Sequence, residues 1–373
     1  MTALASAARI DLDWLHRLEE SVPAYLTSLR LGDQTGRYLP CLRGATPVGR
    51  EMALGWSCFA LKIHFMMGLW PSLEQTEQRG WIQFLQSYQK NDGENAFIDP
   101  PEVAFLDTYV PWRERLKRWI GRRQTTKSAH AITAAETKQA IATFAEVSAE
   151  PLRVFSGFPH TPDAVRQWLE KQDWSRPWGA GGQSAGLVVF LKTQAPKFLP
   201  PAEVEALLKI CREFYAGLAD PETGAYYRGR RPPAHGELIN GAMKVLMALD
   251  WLGEAPHYPA RLIATTVRQP PSPRGCHLVD AVYVLHQCLN GGAPSEEVSE
   301  FCRGVFEAIR SHANADGGFS FHRGKAQTVY YGVPVSRGLA ESDVQGSCLL
   351  VWALALIWRM LAPESAAWKP MRP

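Results

Sequence analysis

The chain has 373 residues, 46% of them hydrophobic and 21% charged, with a formal net charge of +3. That balance describes a globular protein, long enough for two domains or one large closed architecture, and lacks the strongly basic footprint of a nucleic-acid binder. Seven cysteines, an odd count with no CxxC pair, argue against a disulfide framework and for a reducing cytoplasm.

The longest apolar run, residues 348–357 with Trp358 beside it, is about half of the roughly 20 residues a membrane span requires. No basic segment followed by an apolar one opens the chain, so a soluble, non-exported protein is expected. Helical periodicity dominates, and strand-like alternation is almost absent. Amphipathic segments at 12–28, 73–90, 162–171, 201–218, 258–267 and 295–312 alternate with apolar, small-residue segments at 48–69, 129–147, 183–192, 235–252, 277–289 and 342–360. Taken in chain order they predict six helical hairpins.

The connections repeat as well. Gln89-Lys-Asn-Asp92-Gly93 leads to Phe97, Asp220-Pro-Glu-Thr-Gly224 to Tyr226, and Asn314-Ala-Asp316-Gly317-Gly318 to Phe319, while Pro177-Trp178-Gly179 holds the same place in another unit. Asp accepts backbone hydrogen bonds, Gly supplies a positive φ, and the aromatic ring caps the junction. A unit of roughly 40 to 60 residues that cannot bury its own face must stack on its neighbours. Six such units closing into a ring, apolar helices inside and amphipathic ones outside, give an all-α, α/α-toroid fold in a single domain spanning 1–373.

Two stretches depart from the repeat. An insertion at about 99–128 carries Trp112, Arg113, Arg115, Lys117, Arg118, Trp119, Arg122 and Arg123. It reads either as a solvated surface helix or lid, or, over 112–123, as a peripheral contact with an anionic membrane. Residues 320–340, with Tyr330 and Tyr331, form a connection long enough to be functional or disordered.

Polar residues gather where apolar helices begin. Arg274-Gly-Cys-His277-Leu-Val-Asp280-Ala-Val-Tyr283 opens one, His235-Gly236-Glu237-Leu-Ile-Asn240-Gly-Ala-Met-Lys244 another, and Glu341-Ser-Asp343 a third. Helix N-termini favour anions, and Arg adds a bidentate fork. Each residue also has a plainer reading: Asp343 or Ser342 as a helix cap, His235 as a structural donor, Lys244 as an outward-snorkelling stem, and Trp56, Trp178 and Trp352 as core. Gly182-Gln-Ser184-Ala-Gly186 matches a nucleophile elbow in form only, because no strand precedes it, and Ser184 is read as a helix cap.

The ring of hairpins with Asp-Gly-aromatic loops resembles the terpenoid-cyclase and protein-prenyltransferase superfamily, whose members are α/α toroids around an apolar cavity. The His235-Gly236 pair and the Arg274/Tyr283 spacing are similar to prenyltransferase β subunits. The resemblance implies a prenyl-diphosphate enzyme with His235, Arg274, His277 and Tyr283 at the diphosphate; the residues themselves add Lys244, Trp178 and Tyr331 as substrate contacts and, in place of the Asp-x-Asp-Asp acid of class II cyclases, which is absent, Asp343, Glu341 and Asp280 as catalytic acids. It leaves room for Mg²⁺ with the diphosphate. A catalytic zinc is not expected, because Val282 and Gly346 stand where that family has Cys and His ligands beside the Asp matched by Asp280. Two rival readings accompany it: a carbohydrate-active toroid (lyase, hydrolase or epimerase) using Asp343, Glu341, His235 and Tyr331, and a non-catalytic toroid that binds a partner.

Overall fold

Six apolar helices close into a ring in the computed structural model, which describes residues 10–32, 34–108 and 129–373. They are α3 (Leu54–Met66), α6 (Ala129–Glu146), α8 (Pro177–Thr193), α10 (His235–Leu252), α12 (Gly275–Leu289) and α14 (Val344–Leu361). Each packs on the next, and α14 packs back on α3. Outside them lie α1 (Leu12–Leu29), α4 (Gln75–Gln86), α7 (Pro162–Glu170), α9 (Pro201–Leu218), α11 (Pro259–Val267) and α13 (Glu296–Arg310). The α/α toroid expected from the alternating pattern is the fold of the chain.

The sequence sorts the two rings. In α13, Val298, Cys302, Val305, Phe306 and Ile309 recur at helical spacing and are buried, while Ser295 caps the helix by accepting from the Val298 N–H at 3.3 Å. In α1, Leu15, Leu18, Val22, Tyr25, Leu26 and Leu29 do the same behind the Asp11 cap. Inner helices have no such polar face: α3 is buried continuously from Leu54 to Ile63. Each fully buried Leu, Val or Phe side chain stabilises the ring by roughly 1.5–3 kcal/mol. Helix α14 is long and apolar enough to cross a membrane, but 72% of it is buried in the ring. The outer layer closes through α1, where Asp11 meets Arg310 of α13 at 3.2 Å and Arg30 meets Glu77 of α4 at 2.9 Å.

The repeated loops share one geometry. Ala219 pairs antiparallel with Tyr226, Ala313 with Phe319 and Gln89 with Phe97, so the aromatic ring folds back under the end of each outer helix and is buried. Arg30 and Tyr38 make the same junction, and its sequence, Asp33-Gln-Thr-Gly36-Arg-Tyr38, carries the same Asp, Gly and aromatic order, a copy not among those expected. The Pro177-Trp178 segment does not: it is the first turn of α8, which begins at Pro177 and not at the expected 183. Ser184 therefore lies inside that helix, its hydroxyl bonded to the Gly181 carbonyl at 3.0 Å, and is not a cap. Ahead of α3 a separate short helix, α2 (Pro47–Glu51), breaks the segment expected to run from 48.

Of the expected insertion, α5 (Pro100–Thr108) opens it, and the basic aromatic stretch 112–123 lies outside the described residues. Residues 320–340 contain a β-hairpin, β1 (Val329–Tyr330) with β2 (Val333–Pro334), whose register pairs Val329 with Pro334 and Tyr330 with Val333. Its turn places Tyr331 at φ +44°. The hairpin sits on the N-terminal end of α3, where a Cβ on Gly55 would meet the Tyr330 hydroxyl at 2.9 Å.

Candidate active site

Inner helices begin at one face of the ring. The first turns of α8, α10 and α12 touch there: the Trp178 backbone N–H donates to Glu237 Oε1 at 3.0 Å, and the Trp178 ring stands edge-on to His277 with centroids 5.5 Å apart. On α10, Glu237, Asn240 and Lys244 follow one another at three- and four-residue spacing, which puts them on one stripe. His277 and Asp280 form the facing stripe of α12. Asn240 Nδ2 lies 3.1 Å from His277 Nδ1 and donates to it. That leaves the other ring nitrogen of a neutral His277 as the N–H donor. Burial and then the Arg274 charge lower the His277 pKa, against a raising contribution from Glu237.

Below them Asp280 is 2% exposed, and its Oδ2 has no hydrogen-bond partner. Burial pushes its pKa up to about 6, while the Lys244 charge pulls it back. A carboxyl in this state holds its proton into the mildly acidic range and has an oxygen free to deliver it.

Across the mouth, Tyr330 is packed against Trp56 at 4.8 Å and Phe59 at 6.1 Å, and its hydroxyl donates to Glu136 Oε1. Glu136 and Glu102 line a cavity of about 10 Å³, room for one water. Burial raises the pKa of both carboxyls. The Tyr331 ring packs against that of Tyr330, inclined at 51° with centroids 4.5 Å apart.

Of the residues expected at the site, Trp178, Lys244, His277 and Asp280 come together, and Tyr331 lies on the hairpin beside Tyr330. His235 sits in the same first turn as Glu237 but hydrogen-bonds to the Gln269 backbone, and burial followed by the Arg268 charge lowers its pKa. Arg274 is the exposed residue preceding α12, and its backbone bridges to His322.

Three expectations are corrected. Asp343, read as an acid, spends Oδ1 on the Gly346 N–H at 2.6 Å and Oδ2 on those of Phe321 and Gln327 at 2.7 and 3.0 Å. Glu341 accepts from the Gly44 and Arg43 N–H groups at 2.6 and 2.8 Å, tying the N-terminal loop to the ring. Neither offers a free oxygen to a substrate. Tyr283 lies at the opposite end of the ring, 3.5 Å from Asp250 and beside a cavity of about 540 Å³ lined by His286, Arg359 and Arg372. Trp56 and Trp352 are core residues, the first donating to the Gly49 carbonyl at 3.1 Å.

Glu237 and Asn240 were not among the expected site residues. The signal was present in the Glu237–Asn240–Lys244 spacing, a polar stripe on an otherwise apolar helix. Among the described residues no group of three or more His, Cys, Asp and Glu side chains is placed to hold a metal ion. Where a zinc-binding His would follow Asp343, a Cβ on Gly346 would already meet the Phe321 nitrogen at 2.3 Å.

No family model matches the chain, and no curated protein matches it in sequence. Solved structures similar to it include a GH76 α-mannanase of Bacteroides thetaiotaomicron, 12% identical with a TM-score of 0.45 over 94% of this chain and 96% of that one. A family 88 glycosyl hydrolase of Bacteroides vulgatus is 11% identical with a TM-score of 0.46, over 93% and 98% of the two chains. A polysaccharide lyase is 13% identical with a TM-score of 0.44, over 84% and 92%.

The terpenoid-cyclase and prenyltransferase resemblance is corrected, and with it the prenyl diphosphate substrate: these neighbours are described as carbohydrate-active proteins. The physical reason lies in the lumen. An isoprenoid chain needs an apolar sleeve, and this ring turns Lys62, Lys138, Lys244 and Asp280 inward, with Arg274 exposed at the rim.

Proposed function

We propose that this toroid is a carbohydrate-active enzyme that takes a saccharide into the mouth formed by α8, α10 and α12 and hydrolyses a glycosidic bond there. The observation that carries the reading is Asp280, a buried carboxyl with one oxygen unpaired and its pKa lifted to about 6, set among Lys244, His277 and Trp178. Asp280 in its protonated form gives its proton to the departing glycosidic oxygen. Glu237, the second carboxylate of the mouth, takes a proton from the attacking water, whose oxygen forms the new bond to the anomeric carbon. Trp178 offers a half-buried aromatic face against which the apolar side of a sugar ring stacks. The neutral His277 supplies an N–H donor for a hydroxyl.

The test is incubation of the full chain with neutral and acidic oligosaccharides in ¹⁸O-labelled water, with products read by mass spectrometry. Label at the new reducing end, lost in Asp280→Asn and Glu237→Gln, supports the reading. An unsaturated, unlabelled product would replace hydrolysis by elimination. Binding without cleavage would favour the non-catalytic toroid, and neither binding nor cleavage would overturn the saccharide assignment.

A further inference from the structure

Three lysines stand on the inner ring, Lys62 on α3, Lys138 on α6 and Lys244 on α10. Among the described residues no carboxylate lies within ion-pair distance of any of them. Helices α3 and α10 are not neighbours, since α6 and α8 stand between them. Lys62, Lys138 and Lys244 nevertheless each stand about midway along an inner helix that starts at the same face, so ring closure sets them at one level, and the charges of Lys62 and Lys244 both act on Lys138.

Helix α8 makes room for this convergence. A Cβ on Gly181 would fall 2.8 Å from the Lys244 Cβ, and one on Gly186 would fall 3.8 Å from the Lys138 Cγ. Each lysine stem therefore lies against a glycine of α8, Lys244 on the side facing α10 and Lys138 on the side facing α6. Lys62 is 2% exposed and donates to Gln139 Oε1 at 3.2 Å, and the Gln139 amide nitrogen is buried without a partner. Among the described residues Lys244 reaches only the Met247 sulfur, at 3.7 Å.

Like charges gathered away from bulk water repel and are poorly solvated, so the bare cluster destabilises the ring. A group that brings negative charge into the lumen reverses that penalty. Lys138 feels it most: burial, reinforced by Lys62 and Lys244, drives its pKa well below the usual lysine range.

We infer that Lys62, Lys138 and Lys244 form a binding site for the anionic substituent, carboxylate or sulfate ester, of an acidic saccharide. The saccharide rests on the proposed function, whereas the anion rests on the lysines alone. An acidic sugar entered from the mouth reaches past Asp280 and sets its charge among them, which fixes the depth at which the next linkage meets the acid.

Isothermal titration calorimetry on the full chain tests this with a uronate-bearing oligosaccharide, a sulfated one, the neutral counterpart of each, and inorganic sulfate alone. Acidic ligands are expected to bind at least tenfold more tightly than neutral ones and to weaken as salt rises. Whichever acidic ligand binds more tightly identifies the substituent. Lys138→Gln should erase the preference and Lys138→Arg should restore part of it, while the thermal midpoint of Lys138→Gln, read in parallel, stays level or rises because a repelling charge is gone. Equal binding of acidic and neutral ligands, or an acidic preference untouched by Lys138→Gln, would overturn the site. Sulfate binding lost in Lys138→Gln, with no saccharide cleaved, would uphold the anion site while removing the glycosidase. Cleavage of acidic saccharides unaffected by Lys138→Gln would do the opposite.

Discussion

Asn240 and His277 join two inner helices through one hydrogen bond, 3.1 Å from the amide nitrogen to Nδ1, in which the histidine is the acceptor. Protonating Nδ1 would break that bond, so Asn240 and burial together keep the ring neutral. Asn240→Asp replaces the donor with a carboxylate that accepts from Nδ1–H and favours the charged imidazolium. The His277 pKa should rise by about one to two pH units. An NMR titration of the imidazole nitrogens measures it, and an unchanged curve would mean the two side chains do not touch.

Asp280 gives a pH dependence of the opposite sense to a paired carboxylate. Its folded pKa of about 6 stands above the roughly 3.9 of an unfolded Asp, so the native state holds the proton more firmly. Stability is therefore full below the unfolded pKa and declines as pH rises through 6. Asp280→Asn removes that decline. The variant should be more stable than the parent at pH 8 by on the order of 1–2 kcal/mol and close to it at pH 4, with some of the gain offset because Lys244 loses its counter-charge. Chemical denaturation at the two pH values reads the difference, and equal destabilisation at both would contradict it.

The architecture was legible because period-3.6 patterning and burial speak the same language: a helix apolar on every side must be enclosed, and one with a single apolar stripe must cover it. That sorted all six pairs. The Asp-Gly-aromatic signature located three of the folded-back junctions, and the fourth, Arg30–Tyr38, was passed over although Asp33, Gly36 and Tyr38 stand in the same order. The site was legible only in part. Helix mouths concentrate polar residues for two reasons, capping and ligand binding, and one-dimensional spacing does not separate them. Asp343 and Asp280 illustrate the ambiguity: both are buried carboxyls near a helix start with pKa pushed up to about 6, yet one accepts three backbone N–H groups and the other keeps an oxygen unpaired. Polarity of the lumen was hidden for a related reason. Lys62, Lys138 and Lys244 are each the one lysine of an inner helix, and only ring closure brings them together.

Because Asp343 organises three loop and helix N–H groups, its removal should cost stability first. Asp343→Ala strips the α14 cap and orphans the buried Phe321 and Gln327 donors, a loss of about 3–4 kcal/mol. Glu341→Gln keeps one acceptor for Gly44 or Arg43 and should lose about 1–2 kcal/mol. The check is the denaturation midpoint of each variant. A fully stable Asp343→Ala would show that the carboxylate is not the tie described.

Gly346 tests the same corner from the side of shape. Its Cβ position lies 2.3 Å from the Phe321 nitrogen and 2.7 Å from the Ser320 carbonyl carbon, both backbone atoms. Phe321 cannot retreat cheaply, since its N–H is held by Asp343 at 2.7 Å and its carbonyl accepts from the Gly275 N–H at 2.9 Å, the first residue of α12. One added methyl must therefore displace the loop and loosen the entry of two inner helices. Gly346→Ala should destabilise by about 2–4 kcal/mol. Gly304, exposed in the middle of α13 with nothing within 4 Å of its Cβ position, is the control. There Gly→Ala should stabilise by about 0.5–1 kcal/mol, because the helix gains propensity and no atom stands in the way. Thermal midpoints moving in opposite directions for the two substitutions are the expected result, and a Gly346→Ala protein as stable as the parent would show that the loop is not pinned against α14.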